Sequence, residues 1–216
     1  MAWATHPTAF WSNTDPQADQ NAVMIYNVLT SMGYGFNAIC GLLGNIGYES
    51  GYNPWQWQYI GPNTPYVVST YETNYINYQS GHAYGLFQFD PAGCNPNISR
   101  YIGNPTAMAL SGYGPNFANQ TGSVNDGEAQ LRFLEAYDIP VNGAYIPTSS
   151  YPISYSAFKT STNAVGWLAA AWEYNYERGT WNAQRAVNAQ YWESRLPQII
   201  GQSIPVWMYF KFKGRG

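Results

Sequence analysis

Apolar residues recur at helical spacing in several stretches of this sequence. In the most regular stretch, Ile39, Leu42, Leu43 and Ile46 follow the i, i+3, i+4, i+7 pattern of an amphipathic helix. The same pattern, together with capping residues, predicts further helices at 15–33, from 125 to about 137, at about 163–178 and at about 182–196. The stretch 163–178 is apolar nearly all round, which indicates a central, buried helix.

The pattern changes between 53 and 103, where helix signals give way to Tyr, Val, Ile, Thr and Phe among Gly, Pro and Asn. This segment is predicted to contain short strands and long loops, with its clearest strand at 83–89. The chain is therefore expected to form one mainly α (α+β) domain in which a small β-hairpin or loop region follows the second helix. We place this domain at 17–203, between an N-terminal arm at 1–16 and a C-terminal tail or connector at 204–216.

The composition favours a neutral polar surface. Charged residues make up 10% of the chain, below the level of about 25% that is usual in globular proteins, whereas aromatic residues reach 18%. Exposed aromatic rings beside amides and hydroxyls are typical of carbohydrate-binding surfaces, although they also occur on ordinary packing surfaces. A net charge of −3 with scattered Lys and Arg argues against nucleic acid as a partner.

Neither a membrane span nor a secretory signal is expected. No window approaches the roughly 18 consecutive apolar residues of a membrane helix, and the first residues lack a basic region followed by an apolar core. Two cysteines, Cys40 and Cys94, permit one disulfide. Cys40 falls at an apolar position of its helix, which favours a buried free thiol.

One carboxylate, Glu49, ends the most regular of the predicted helices. Gly41, Gly44 and Gly47 lie three apart in this helix, although a glycine costs a helix about 1 kcal/mol relative to alanine. Another backbone or a ligand is therefore expected to come very close to them. A lone Glu with little water around it favours the protonated form that a general acid needs near neutral pH. A solvated surface position is the alternative.

Several short motifs accompany this carboxylate. The chain contains Asn21-Ala22, Ala38-Ile39-x-Gly41-x-Leu43-Gly44-Asn45, Glu49-Ser50, Asn53-Pro54, Gly85-Leu86-Phe87-Gln88 and Tyr176-Glu177-Arg178-Gly179. A Glu-Ser at a helix end, followed later by a Gly-Leu-x-Gln strand on the cleft floor, resembles the lysozyme superfamily. The full set is similar to the phage tail-associated lysozyme family over about residues 20–200, with Gly179 in place of the proline of the family pattern.

This resemblance implies a lysozyme-like fold. It also implies hydrolysis of the β-1,4 bond between N-acetylmuramic acid and N-acetylglucosamine in bacterial peptidoglycan, with Glu49 protonating the leaving oxygen. The protein would act in a phage virion, at the tail during DNA entry, with other tail proteins as candidate partners; a lysis enzyme is the alternative. No cofactor or metal is expected.

The identity of the second carboxylate is left open. Glycosidases usually use two carboxylates, the second as nucleophile or as base for water. In animal lysozymes this residue directly precedes the Tyr-Gly of the strand, where this chain has Ala83; in goose-type lysozymes it follows the Gln-Val, where this chain has Asp90. Asp90 is the first candidate, as base for an inverting attack by water, or else it only initiates a turn; Glu72 is the second. If neither serves, similarity to lytic transglycosylases implies that Glu49 acts alone.

Substrate-binding residues are predicted from position and chemistry. Gln88 is expected to hydrogen-bond substrate or to hold the cleft floor. The resemblance places Tyr174 and Asn175 near the Tyr-Asn motif that orients the acid Glu in transglycosylases. Glu177 and Arg178 are interpreted as an internal ion pair. Candidate sugar-stacking residues, for which core packing is the alternative, are Trp55, Trp57 and Tyr84.

Three other classes of protein compete with this hypothesis. A cysteine amidase or peptidase would use Cys40 and His82, but a reactive thiolate is expected at an exposed helix N-terminus rather than at an apolar position. A zinc peptidase is disfavoured because His6 and His82 lack ligand-type spacing. A non-catalytic, glycan-binding tail component would keep the fold with a dead site, and the presence of Glu49 argues against it.

Overall fold

The computed structural model of the protein describes residues 3–4, 9–54, 56, 85–88, 126–141 and 143–202. The helices in these ranges are α1 (Pro16–Ser31), α2 (Phe36–Ser50), α3 (Asp126–Phe133), α4 (Tyr155–Lys159), α5 (Val165–Trp172) and α6 (Gln184–Gln202). Two five-residue π-helical turns, Leu134–Asp138 and Glu173–Glu177, extend α3 and α5. The prediction of a mainly α fold is confirmed.

Helix α1 begins and ends where the local sequence predicts. Pro16 occupies the first helical position, where no backbone N–H is needed, and Gly33 follows the last turn with φ +86°. The Asp15 side chain does not cap the helix. Its Oδ2 accepts hydrogen bonds from the backbone N–H of Ser12 at 2.7 Å and from the Ser12 hydroxyl at 3.0 Å, which ties the N-terminal arm to the helix start.

Helix α2 forms the centre of the core and packs against α5 and α6, which also pack against each other. Two of its glycines, Gly41 and Gly44, face these neighbours. A Cβ on Gly41 would lie 2.9 Å from the Cβ of Leu168 in α5, and one on Gly44 would clash with the Arg185 carbonyl oxygen in α6. A Cβ on Gly47 would clash with the Tyr52 hydroxyl. The predicted close approach of another backbone is confirmed at Gly41 and Gly44, whereas the neighbour of Gly47 is a side chain.

The chain leaves α2 through a tight, buried turn. Gly51 and Tyr52 both have positive φ, at +55° and +63°. The Tyr52 hydroxyl accepts a hydrogen bond from Trp192 Nε1 at 2.7 Å, and its carbonyl oxygen accepts one from Asn21 Nδ2 at 2.8 Å. Because α1 and α6 both hold this turn, the end of α2 has a fixed position.

The structure contradicts the strand predicted at 83–89. Residues 85–88 form a turn, in which the Gln88 N–H donates to the Gly85 carbonyl at 3.1 Å and both residues have positive φ. The backbone N–H of Leu86, which a neighbouring strand would use, donates instead to Gln130 Oε1 at 2.7 Å. No β-hairpin is seen in the described ranges; the rest of the predicted β region lies outside them.

The late helices follow the predicted order but differ in extent. The helix predicted at 163–178 is α5 with its π-helical turn, and the last helix continues past Pro197 to Gln202. Helix α4 was not predicted, because a single short turn that buries Phe158 shows no repeating pattern. Neither α6 nor any other helix of the described part is long and apolar enough to cross a membrane.

Candidate active site

Glu49 lies in the last turn of α2 with a side chain that is 19% exposed. The next residue, Ser50, is buried and its hydroxyl lies 3.0 Å from the Ile46 carbonyl and 3.1 Å from the Leu86 carbonyl. These contacts place the turn 85–88 directly against the end of α2. The carboxylate therefore lies near the junction of the central helix and the turn 85–88.

Glu49 has a buried cationic partner. Arg185 of α6 is 4% exposed; its Nη2 contacts Glu49 Oε1, and its Nη1 donates to Asn45 Oδ1 at 2.9 Å. Among the described residues, no donor contacts Glu49 Oε2. The expectation of a lone carboxylate is wrong, because a residue 136 positions further along the chain supplies the partner.

Two more carboxylates lie beside Arg185, and together we call Glu49, Glu173, Glu177 and Arg185 the carboxylate cluster. Arg185 Nη2 lies 2.9 Å from Oε2 of the fully buried Glu173. This is an ion pair by distance, but its geometry is not that of a hydrogen bond, and within the described part of the chain neither oxygen of Glu173 has a hydrogen-bond donor. Glu177 accepts a hydrogen bond from Trp172 Nε1 at 3.1 Å.

Burial changes the protonation of this cluster. Burial raises the pKa of Glu173 to about 7; the charge of Arg185 opposes the rise, and that of Glu49 adds to it. Burial of its carboxyl group, followed by the charge of Glu49, raises the pKa of Glu177 well above its usual range. Glu173 and Glu177 therefore hold their protons to higher pH than solvated carboxyl groups do.

The π-helical turn 173–177 explains two features of the sequence. Arg178 has φ +57° and donates through Nη2 to the Ala144 carbonyl at 2.9 Å, so the interpretation of a Glu177–Arg178 ion pair is wrong. At Gly179, a Cβ would lie 2.5 Å from Glu173 Oε1. A proline here would meet the same oxygen, which accounts for the glycine that this chain has where the family pattern has proline.

Gln88 and Asn175 use their side-chain amides inside the fold. Gln88 Nε2 donates to the carbonyls of Gln56 and Gly85, each at 3.0 Å. Buried Asn175 accepts from the N–H and hydroxyl of Thr148, at 2.8 and 2.9 Å, and donates to the Tyr145 hydroxyl at 3.1 Å. Gln88 thus joins its own turn to the segment that follows α2, whereas Asn175 holds the loop at 145–148 against the end of α5.

Tyr174 lies in a row of three aromatic rings, in which it is exposed and the other two are partly buried. Its ring is nearly parallel to that of Tyr151, with centroids 5.2 Å apart, and to that of Trp181, with centroids 6.5 Å apart. The hydroxyl-bearing ring of Tyr174 is among the exposed large side chains of the described chain. An exposed aromatic face of this kind can stack on a sugar ring.

The remaining predicted site residues lie outside the described residues. These are Asp90, Glu72, Trp55, Trp57 and Tyr84, together with Cys94 and the two histidines. Cys40 is described, and the prediction of a buried free thiol is confirmed. Burial raises the pKa of this thiol to about 12, the opposite of what a nucleophilic cysteine requires.

Sequence reasoning missed Arg185 and Glu173 as parts of the site. One signal was present: Glu173 and Glu177 interrupt the most apolar helix of the chain, and carboxylates in such a setting need a buried cation. Arg185 supplies that charge. Within the described ranges, no group of three or more His, Cys, Asp or Glu side chains is arranged to hold a metal ion.

Comparison with known proteins shows which family this sequence matches. Residues 20–196 match the sequence model of a family described as phage tail lysozyme. The chain is also similar to Morphogenesis protein 1 of Bacillus phage B103, with 27% identity over 179 residues. The aligned region is 82% of this chain and 39% of that relative, so the chain spans about two fifths of the length of the curated protein it matches.

Proposed function

Because this chain belongs to the phage tail lysozyme family, we propose that it is a glycosidase that cleaves peptidoglycan between N-acetylmuramic acid and N-acetylglucosamine. The observation that carries the proposal is Glu49 at the end of α2, partly exposed, with one carboxylate oxygen held by a buried arginine. In this reading Glu49 is the general acid, and its Oε2 delivers the proton to the leaving glycosidic oxygen.

Arg185 is proposed as a positioning residue for this acid. It reaches Glu49 through Nη2 while Nη1 is held by Asn45, so the carboxyl group is oriented before substrate arrives. Orientation of this kind matters because a misplacement of about 1 Å can cost about a hundredfold in rate. The buried Glu173 lies behind the guanidinium, away from any water that could attack a sugar.

The second carboxylate of the proposed reaction is Asp90, acting as base for water, with Glu72 as the next candidate. An inverting reaction requires the two carboxyl groups to lie about 6.5–9.5 Å apart. If neither residue serves, Glu49 acts first as acid and then as base, in the manner of a lytic transglycosylase. Gln88, Tyr84, Trp55, Trp57, Tyr174 and Asn175 remain proposed substrate-binding or site-supporting residues.

We place the activity in the phage virion, at the tail, where it would open the host wall locally. The family description names the tail, and the relative in phage B103 is named for morphogenesis. Bacterial peptidoglycan is the proposed substrate, and other tail proteins are proposed partners. Release of progeny by the same chemistry is the alternative.

Digestion of purified peptidoglycan, followed by mass spectrometry of the soluble fragments, tests the proposal. Wild type should release muropeptides with reducing ends, and Glu49→Gln should release none, because it cannot donate a proton. The matched control is Glu193→Gln, the same change at an exposed position of α6, which should leave the products unchanged. Fragments with 1,6-anhydro ends would identify a transglycosylase instead. A wild type that binds peptidoglycan but releases nothing would identify a non-catalytic binding protein.

A further inference from the structure

A groove of about 450 Å³ opens where the N-terminal arm passes the end of α2. We call it the arm groove; its walls are residues 10–14 of the arm, Gly47 and Tyr48 of α2, and Gln184 and Asn188 of α6. Its volume lies within the range of about 300–1,000 Å³ that is usual for small-molecule sites. None of the residues proposed above for catalysis lines it.

The arm is held in place by contacts on both sides of the groove. Asn13 Nδ2 donates to Asn188 Oδ1 at 3.1 Å, and Asn53 Nδ2 donates to the Ala9 carbonyl at 2.7 Å. A Cβ on Gly51 would lie 2.5 Å from the backbone nitrogen of Trp11, so the arm passes directly over the end of α2. The groove is therefore formed before any ligand binds.

The lining of the arm groove is neutral. All nine described residues that line it are uncharged. Phe10 is 55% exposed and Tyr48 is also exposed, while Ser12 and Gln184 offer a hydroxyl and an amide. Aromatic faces pack against the C–H faces of sugar rings, and neutral donors and acceptors pair with sugar hydroxyl and acetamido groups. The described lining residues offer no charged side chain to a charged peptide.

The arm groove is linked to Glu49 through Tyr48 and Arg185, since Tyr48 lines the groove and contacts Arg185, which in turn contacts Glu49. Tyr48 precedes Glu49 in α2, and its ring lies 4.4 Å from the guanidinium carbon of Arg185. The Tyr48 hydroxyl accepts a hydrogen bond from Asn182 Nδ2 at 3.1 Å, which fixes the ring. The arm residues 10–14 precede the segment 20–196 that matches the family model, so one wall of the groove lies outside the matched segment.

We propose that the arm groove binds N-acetylated sugar units of a glycan strand, next to the bond presented to Glu49. The inference rests on the proposed function. It adds a second binding site, which would contact further sugar units of the same glycan strand. The ligand it selects is the neutral sugar backbone of peptidoglycan and not the charged peptide stem.

Binding of the N-acetylglucosamine hexamer, measured by titration calorimetry, tests this site. All proteins carry Glu49→Gln so that the hexamer stays intact. Phe10→Ala should weaken binding fivefold or more, because Phe10 supplies the most exposed ring of the groove. The control is Val187→Ala, an apolar residue of α6 that is 53% exposed and does not line the groove, and it should bind as the parent does.

The outcomes separate this inference from the proposed function. Equal affinity of the Phe10→Ala and Val187→Ala proteins for the hexamer would refute sugar binding in the arm groove, whether or not wild type releases muropeptides. Loss of affinity in Phe10→Ala alone, with no muropeptide release by wild type, would support sugar binding in the arm groove and refute the proposed glycosidase activity. Sugar binding in the arm groove would also be refuted if the parent Glu49→Gln protein did not bind the hexamer, or if a sugar-free peptide stem displaced the hexamer.

Discussion

Arg185 contacts Asn45, Glu49 and Glu173 with one guanidinium group. A lysine could keep the charge, but a single ammonium group lacks the planar fork that bridges two acceptors. Removing the charge altogether would leave buried carboxylates without a cation, which typically costs about 3–5 kcal/mol. The orientation of Glu49 and the stability of the core therefore depend on the same side chain.

The variant Arg185→Lys separates these two roles. Because the acid loses its fixed orientation while the charge remains, we expect kcat to fall about tenfold to a hundredfold, with little change in KM. Steady-state kinetics on soluble glycan strands measure both constants. Arg195→Lys, a change in the exposed ion pair between α6 and Asp19, is the control and should stay within about twofold of wild type. An unchanged kcat in Arg185→Lys would refute the positioning role.

Helix α2 depends on small residues at its contacts with α5 and α6. Gly41 faces the backbone of Ala169, whose nitrogen would lie 3.2 Å from an added Cβ, and Gly44 faces the backbone of Arg185. These contacts let the helices approach closely and bring Arg185 within reach of the end of α2. The glycines thus contribute to the site through packing, although none of them bears a reactive group.

Gly44→Ala tests this close approach. Alanine improves the helix propensity by about 1 kcal/mol, but its Cβ would clash with the Arg185 carbonyl oxygen, which belongs to backbone and cannot rotate away. We expect a net loss of about 1–3 kcal/mol in the free energy of unfolding, measured with urea. Gly201→Ala lies in α6 with nothing within 4 Å, and it should gain up to about 1 kcal/mol. A Gly44→Ala protein as stable as wild type would contradict the packing.

The carboxylate cluster joins α2, the end of α5 and α6, so its protonation affects the stability of the whole molecule. Burial raises the pKa of Glu173 from an ordinary value of 4.5 to about 7. Between these values the native state holds a proton that the unfolded chain has released. The contribution to stability is fully present below about pH 4.5 and is lost as the pH rises through about 7. The raised pKa of Glu177 acts in the same direction.

Urea unfolding at pH 5, 6, 7 and 8 measures this dependence. Wild type should lose about 1–3 kcal/mol relative to Glu173→Gln across this range, because the glutamine cannot release a proton. Part of the slope should persist in Glu173→Gln, since Glu177 still titrates. Glu193→Gln should follow wild type. Parallel stability curves for wild type and Glu173→Gln would show that Glu173 does not titrate in this window.

Local sequence determined a large part of this molecule. Several features follow from residues within one or two helical turns of each other and are therefore short-range properties. They are the hydrophobic periodicity of α1, α2, α5 and α6, the proline and glycine at the ends of α1, and the burial of Cys40. The glycine spacing of α2 also predicted close contacts before any neighbour was known. The motif block 38–54 placed Glu49 at a helix end, where the structure has it.

Only the tertiary structure decided how Glu49 is held and how residues 85–88 are folded. Arg185 contacts Glu49 across 136 positions of sequence. A contact at that separation does not appear in the local hydrophobic pattern of either segment. The alternation of residue types at 83–89 predicted a strand. In the structure, Gln130 Oε1 accepts a hydrogen bond from the backbone N–H of Leu86, and Gly85 adopts a positive φ. Local preference sets which elements form, whereas partners brought from distant segments decide the charge and geometry of the site.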